Sequence, residues 1–445
     1  MIRYNPVKGA LEPGLAHDWR SSEDGRVWTF YLRKRVHFHH GRELSADDVV
    51  FTLKRLKDWG EASPSCWLCE SIIEVQALDR LTVCVNLAES NYMFPHYVSS
   101  YPMAVLPQDV YSRNKQEDLR LYPVGTGPFR VTRHDEGGIT LEVFEDYFGE
   151  GAHLDRVEML YIPRVMSEGD NWSQWNFHIG KIKHYQQQPP PNWRIKEAMT
   201  LGSNLLAFNL RKDGPQRHML VRKALNRILD REGLIARLEM HNAIPARGFL
   251  PPDSPGESPR DHEPEKARQL LAACGYQGEC LSMVFSPSHA HEADWIRERC
   301  AEVGITIELR PYTYDEMSRT ERLLEGDIIL GGVVADDDEA RCLLEMYKIR
   351  NMLIRVCASD ESRAQFDAMI RSIVAQPDGQ ERMRQIRAME RILTDEYHVL
   401  FLVHTTQQTV FSPHLKGISV NTLGWFDFKS IWFRPEFPQE AAVQP

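Results

Sequence analysis

Three clusters of side chains in this sequence could do chemistry. His37, His39 and His40 are the first, and imidazoles at such spacing suggest a metal. Along a strand, however, 37 and 39 share a face while 40 points away, so three ligands from this stretch converge poorly. A structural turn is the plainer expectation. Cys66-Trp-Leu-Cys69 is the second cluster. A structural zinc site needs another ligand pair at matching spacing. None is present, so buried free thiols are expected. Asp336-Asp-Asp-Glu339 is the third. Paired carboxylates can hold a cation, and the plainer alternative is a solvated loop. The sequence lacks H-E-x-x-H, G-x-S-x-G and a P-loop. We therefore expect no catalytic constellation, resident metal or cofactor.

The elements that must position these groups follow from periodicity. Residues 27–32 alternate large apolar side chains and read as a strand. Ser45 with Asp48 forms a capping-box variant that opens a helix, with Val49, Val50, Leu53 and Leu56 as its apolar stripe. Residues 72–86 read as a hairpin turning near Asp79-Arg80, and 128–133, 139–144 and 157–163 as further strands. Residues 164–200 are irregular and polar, with Gln186 to Gln188 before Pro189 to Pro191, and read as a connector. Beyond it, strands at 205–210, 281–285 and 305–309 alternate with helices at 217–238, 264–273 and 291–303. That order predicts a wound α/β unit. A helix over 361–395, long or split near Pro377, precedes last strands at 398–403 and 408–412.

A chain of 445 residues exceeds one ordinary core, so two or three lobes are expected. Hydrophobic content of 42% and charged content of 26% are those of a globular protein. A net charge of −10 argues against DNA binding through a broad basic face. The short basic run Arg33-Lys34-Arg35 reads as a solvated strand end. The eight cysteines are irregularly spaced, which fits reduced thiols in a cytoplasm. Met1 to Gly14 carries Arg3, Asn5, Lys8 and two prolines without an apolar stretch, so no signal peptide is read there. No apolar run is long enough to insert in a membrane.

Several segments in shared order resemble one family. They are Gly14-Leu-Ala-His-Asp-Trp19, the strand ending Val36-His-Phe-His-His-Gly41, and the helix start Ser45-Ala-Asp-Asp-Val49. Val124-Gly-Thr-Gly-Pro-Phe129, Leu206-Ala-Phe-Asn209, Val221-Arg-Lys-Ala-Leu-Asn226 and Pro264-Glu-Lys-Ala-Arg-Gln-Leu-Leu271 continue it. Together they resemble the family 5 solute-binding proteins, the peptide- and nickel-type receptors of ABC importers. His37 to Leu44 and the ending Leu423-Gly-Trp-Phe-Asp-Phe-Lys-Ser430 are similar to the SgrR branch, cytoplasmic regulators in which a winged helix-turn-helix precedes a family 5 body.

The resemblance implies an α/β, two-lobed periplasmic-binding-protein-like fold of type II, cluster C-like, with a ligand cleft between lobes. It implies a first-lobe extension over 1–120, a first lobe over 121–200 plus 406–445, and a second lobe over 201–405. Met1-Ile-Arg-Tyr-Asn5 begins inside a family motif, so the extension is expected to be N-terminally incomplete. The implied function is effector binding for an SgrR-type regulator. The alternatives are an importer receptor lacking its signal sequence and a truncated remnant. A cytoplasmic location goes with the first reading, and an extracytoplasmic, membrane-associated one with the second. The implied partners are a small polar ligand (sugar, sugar phosphate or short peptide), DNA only through a separate or missing helix-turn-helix module, and in the alternative an ABC permease. Peptide-binding members carry W-x-x-D-Y where this chain reads Val333-Val-Ala-Asp336-Asp337. Asp336 is retained there without the aromatics, which departs from the usual peptide site. By the same resemblance Asp336 and Asp337 face the cleft, Asn209 lies where the chain crosses between lobes, and Trp425 offers a stacking face.

Overall fold

The computed structural model describes all residues except 7, 61–64, 113–119, 162–176, 180–189, 252–261, 422, 424 and 435–445. β1 (Ile2–Asn5) and β2 (Ala10–Pro13) form a hairpin. It leads into an antiparallel sheet of β3 (Ala16–Ser21), β4 (Val27–Leu32), β5 (Ile72–Asp79) and β6 (Thr82–Leu87), in the order β3-β4-β6-β5. The alternation read in β4 buries Trp28, Phe30 and Leu32. Helix α1 (Ala46–Trp59) opens with the expected capping box and buries Val49, Leu53 and Leu56. A short helix, α2 (Phe94–Ser99), follows the sheet.

β7 (Phe129–Asp135), β8 (Gly138–Val143) and β9 (Arg156–Leu160) form a meander. The connector expected over 164–200 is in part a sheet. β10 (Phe177–Ile179) and β11 (Arg194–Met199) flank a strand from near the other end of the chain. The polar stretch 194–199 has little intrinsic strand signal, and pairing supplied from more than two hundred residues away decides its state. The Gln-Pro tract at 186–189 lies outside the described residues.

The other lobe is built on six strands. β12 (Gly202–Phe208) runs into α3 (Met219–Ile228), α4 (Arg231–Arg237) and the edge strand β13 (Ile244–Pro245). α5 (Pro264–Ala273), β14 (Leu281–Phe285), α6 (Ala290–Ala301), β15 (Ile307–Pro311) and β16 (Ile328–Val334) follow. Last come α7 (Glu339–Lys348), α8 (Asp360–Ala375), α9 (Gly379–Asp395) and β17 (Val399–His404). The order is β13-β17-β12-β16-β14-β15, with β14 parallel to both β15 and β16. The helix expected over 217–238 is two, because Asp230 caps a new helix by accepting from the Gly233 N–H at 2.8 Å. Of the two alternatives for 361–395, long or split, the structure has the split one, broken at Pro377, where Asp378 caps α9.

Both faces of this sheet are covered. Leu206 and Phe208 pack towards α3, α5 and α6, while Leu205 and Ala207 pack towards α7, α8 and α9. The chain passes between lobes twice, at Thr200-Leu201 and at Thr405, from which β18 (Thr406–Phe411) returns to pair with β10 and β11. The two passages are tied together. The Thr200 N–H and hydroxyl donate to Thr405 O at 3.0 and 2.8 Å. Away from this hinge the lobes also touch. The Tyr92 N–H donates to Val374 O at 2.7 Å, and Lys348 Nζ reaches Glu70 at 2.9 Å. One apolar cluster runs from residues of 1–105 into α7, α8 and α9.

Candidate ligand cleft

The acidic loop 336–339 follows β16 and enters α7. Its carboxylates have unlike fates. Asp336 turns inward: one oxygen pairs with Arg341, and the other accepts from the Asp338 N–H at 3.0 Å and the Cys342 thiol at 3.0 Å. Arg341 is itself buried and also pairs with Glu345. Burial raises the Glu345 carboxyl above its ordinary range, and Arg341 opposes that. Asp338 caps α7 through the Arg341 N–H at 3.2 Å and reaches across the lobes to His96 Nδ1 at 2.8 Å.

Asp337 lies among groups of the opposite lobe. Burial, then the Asp337 charge, raises the Tyr101 hydroxyl. Burial, then the carboxylates of Asp338, Glu339 and Asp337, raises that of Tyr4. Tyr101 sits against Trp425 with ring centroids 4.9 Å apart, and both rings are more than half exposed. Asn421 organises the pair. Its side-chain oxygen accepts from the Trp425 N–H at 2.8 Å, and its amide donates to Tyr101 OH at 3.3 Å. Exposed aromatic faces beside a carboxylate and an amide can stack on, and hydrogen-bond to, a small polar molecule.

The structure thus brings Asp337 and Trp425 into one neighbourhood and turns Asp336 into the protein. Asn209 lies elsewhere. The lobe crossing falls at Thr200, before β12, and not at Asn209 beyond the strand's other end. There Asn209 is fully buried. Its amide donates to Leu324 O and Gly326 O at 3.0 and 2.9 Å, and its oxygen accepts from the Arg211 N–H at 3.2 Å. Sequence reading missed Tyr101, Asn421 and His96, because each arrives from a separate segment with no motif around it.

The three histidines go three ways. His39 wedges against the Gly125–Gly127 turn, accepting from the Gly125 N–H at 3.3 Å and donating to Gly127 O at 3.1 Å. Burial lowers its pKa. His40 meets Asp109 at 3.1 Å, and His37 bridges to Glu43 through its backbone. Cys66 and Cys69 lie on a single 3₁₀ turn, where burial pushes the Cys69 thiol up to about 12. Among the described residues no three His, Cys, Asp or Glu side chains gather for a metal, and no helix is long and apolar enough to cross a membrane. An open groove of about 450 Å³ runs along α1, lined by Val50, Phe51, Arg55 and Trp59, and shares no residue with the cleft groups above.

Two α/β lobes, joined by a double crossing with polar and aromatic groups facing across it, define a binding protein of the two-lobed periplasmic class. Residues 10–349 match the bacterial extracellular solute-binding proteins, family 5, and the chain belongs to that family. It is 28% identical over 426 residues to the uncharacterized protein YhjP of Bacillus subtilis, covering 95% of this chain and 69% of that protein. It is 26% identical over 443 residues to the HTH-type transcriptional regulator SgrR of Yersinia enterocolitica, covering 98% of this chain and 72% of that protein. Among solved structures it superposes on the ABC transporter-associated periplasmic binding protein DppA of Helicobacter pylori, in complex with the peptide STSA. The TM-score is 0.79 at 22% identity, covering 97% of this chain and 91% of that one.

Proposed function

We propose that this chain is the effector-sensing body of a transcriptional regulator of the SgrR type. Closure of its lobes on a small polar metabolite sets the activity of a DNA-binding module that is joined to it or partners it. The observation that carries this reading is the likeness to SgrR over 98% of the chain, through both lobes and the hinge between them. A ligand shifts such a hinge only by binding the closed form better than the open one. Groups from both lobes around Asp337, Tyr101 and Trp425 favour closure, since they meet only when the lobes are together. Asp337 and Trp425 are the contacts we assign, and Asp336 supports them from within by holding Arg341. No step of bond making or breaking is required. A net charge of −10 makes the body itself a poor DNA ligand, so contact with DNA belongs to the separate module.

The test has two parts. Small-angle scattering of the purified chain, with and without a small-molecule extract of the host cytoplasm, should show a more compact particle with extract. Chromatin immunoprecipitation of the tagged natural protein should enrich a defined promoter. An importer receptor is the second reading, favoured by the fold shared with DppA. Compaction without promoter enrichment, together with co-purification of a permease, selects it.

A further inference from the structure

A second polar constellation stands at the hinge-side end of the six-stranded sheet, where β14 and β16 finish and β12 begins. Open α/β sheets bind ligands outside the carboxyl ends of their parallel strands. There Glu292, on the first turn of α6, is buried with only 5% of its side chain exposed. One of its oxygens accepts from Asn204 Nδ2 at 2.6 Å, and the other meets Nδ1 of His289. A carboxylate so placed fixes both the plane and the free nitrogen of the imidazole. His289 keeps 16% of its side chain exposed.

Gly332 is the independent observation. A glycine in a strand interior costs about 0.5–1 kcal/mol relative to alanine, and it often marks a close approach by a ligand. The neighbouring Gly331 has a packing reason, since a Cβ there would meet Leu353 at 2.8 Å. Gly332 is exposed, and what a Cβ there would crowd is the constellation itself. A Cβ on it would sit 3.1 Å from Asn204 Oδ1 and 4.0 Å from His289 Cε1, over the edge of the ring.

We infer that His289, oriented by Glu292 and uncovered by Gly332, is a second-lobe contact for a hydroxyl of an uncharged, sugar-like ligand. The inference rests on the ligand-sensing reading above and names the class of ligand. With Nδ1 committed to Glu292, Nε2 is the ring nitrogen left for a ligand. That nitrogen accepts when the ring is neutral and donates when it is protonated. A hydroxyl does both and satisfies either state. A phosphate satisfies only the protonated ring and meets the field of Glu292 and the acidic loop.

Calorimetric titration with glucose, maltose and glucose 6-phosphate tests the assignment on wild type, His289→Ala and Gly332→Val. A neutral sugar should bind wild type, and each variant should weaken it about tenfold or more with its thermal melt preserved. Gly332→Val, on an exposed face, keeps the test open should His289→Ala fold poorly. Unchanged affinity in folded variants overturns the site. Binding of glucose 6-phosphate alone overturns the ligand class, as does silence toward all three while cytoplasmic extract still compacts the particle. Silence toward both sugars and extract overturns the sensing reading along with it.

Discussion

The two ends of the six-stranded sheet put their polar groups to different uses. At the end far from the hinge they are spent on the fold. The Asn209 amide stitches the β16 entry loop to the end of β12 through two hydrogen bonds, and its oxygen holds the Arg211 N–H. Asp327 accepts from the Ser282 N–H at 2.8 Å and its hydroxyl at 2.7 Å and pairs with Lys212. Arg222 donates to four carbonyls, those of Gln216, Arg217, Glu396 and Tyr397. At the hinge end His289 keeps an exposed edge, Gly332 and Val334 face outward, and Ser203 Oγ and His404 Nε2 are buried without a protein partner. Burial lowers the His404 pKa, and its Nδ1 is held by Gly202 O at 2.6 Å. Buried atoms without a protein partner occur at both ends, Gln216 Oε1 and His398 Nδ1 at the far one, so the difference lies in exposure: the hinge end leaves the His289 edge and Gly332 open towards the proposed ligand.

This contrast can be broken by substitution. The largest effect is expected for Arg222→Ala, which removes a buried guanidinium that donates to four carbonyls and should cost about 3–5 kcal/mol in urea unfolding. Ligand affinity should not change, and a selective loss of affinity would erase the distinction between the ends. Next is His398, beside Arg222, which burial and then the Arg222 charge lower from 6.5 to about 4. The unfolded chain takes up a proton there that the folded chain refuses. The associated stability is therefore full above pH of about 6.5 and lost as pH falls towards 4, a change on the order of 3 kcal/mol. Urea midpoints measured across that window should fall less steeply for His398→Leu. Asn209→Ala should cost about 1–3 kcal/mol, again without touching binding. Smallest is Thr200→Val at the hinge, about 0.5–1.5 kcal/mol of stability. Its clearer signature should be a changed balance of open and closed particles in scattering.

Much of this architecture was legible because local signals agreed with the tertiary outcome. The β4 alternation, the Ser45–Asp48 cap, the 72–87 hairpin and the strand–helix order after residue 200 each carry their own period or cap. β11 was not legible, since its polar residues become a strand only through pairing with β18. The cleft was legible in part. The acidic loop and Trp425 stood out by type, but which carboxylate turns inward depends on Arg341, five residues on in the first turn of α7. Asn209 was misplaced by a strand length, because the apolar run of β12 shows no direction of approach to the hinge. The Gly331-Gly332 pair within a strand was the one sequence signal for the His289 site, and it went unread.

The paired crossing at Thr200 and Thr405 has a mechanical meaning. Two backbones lying side by side and bonded to each other behave as a short ribbon, compliant across its face and stiff within its plane. Such a coupling admits one swinging coordinate and resists shear and twist. In the proposed sensing role that swing would be the molecule's single output, an angle. One pair of distance reporters, one on each lobe, should capture its whole state.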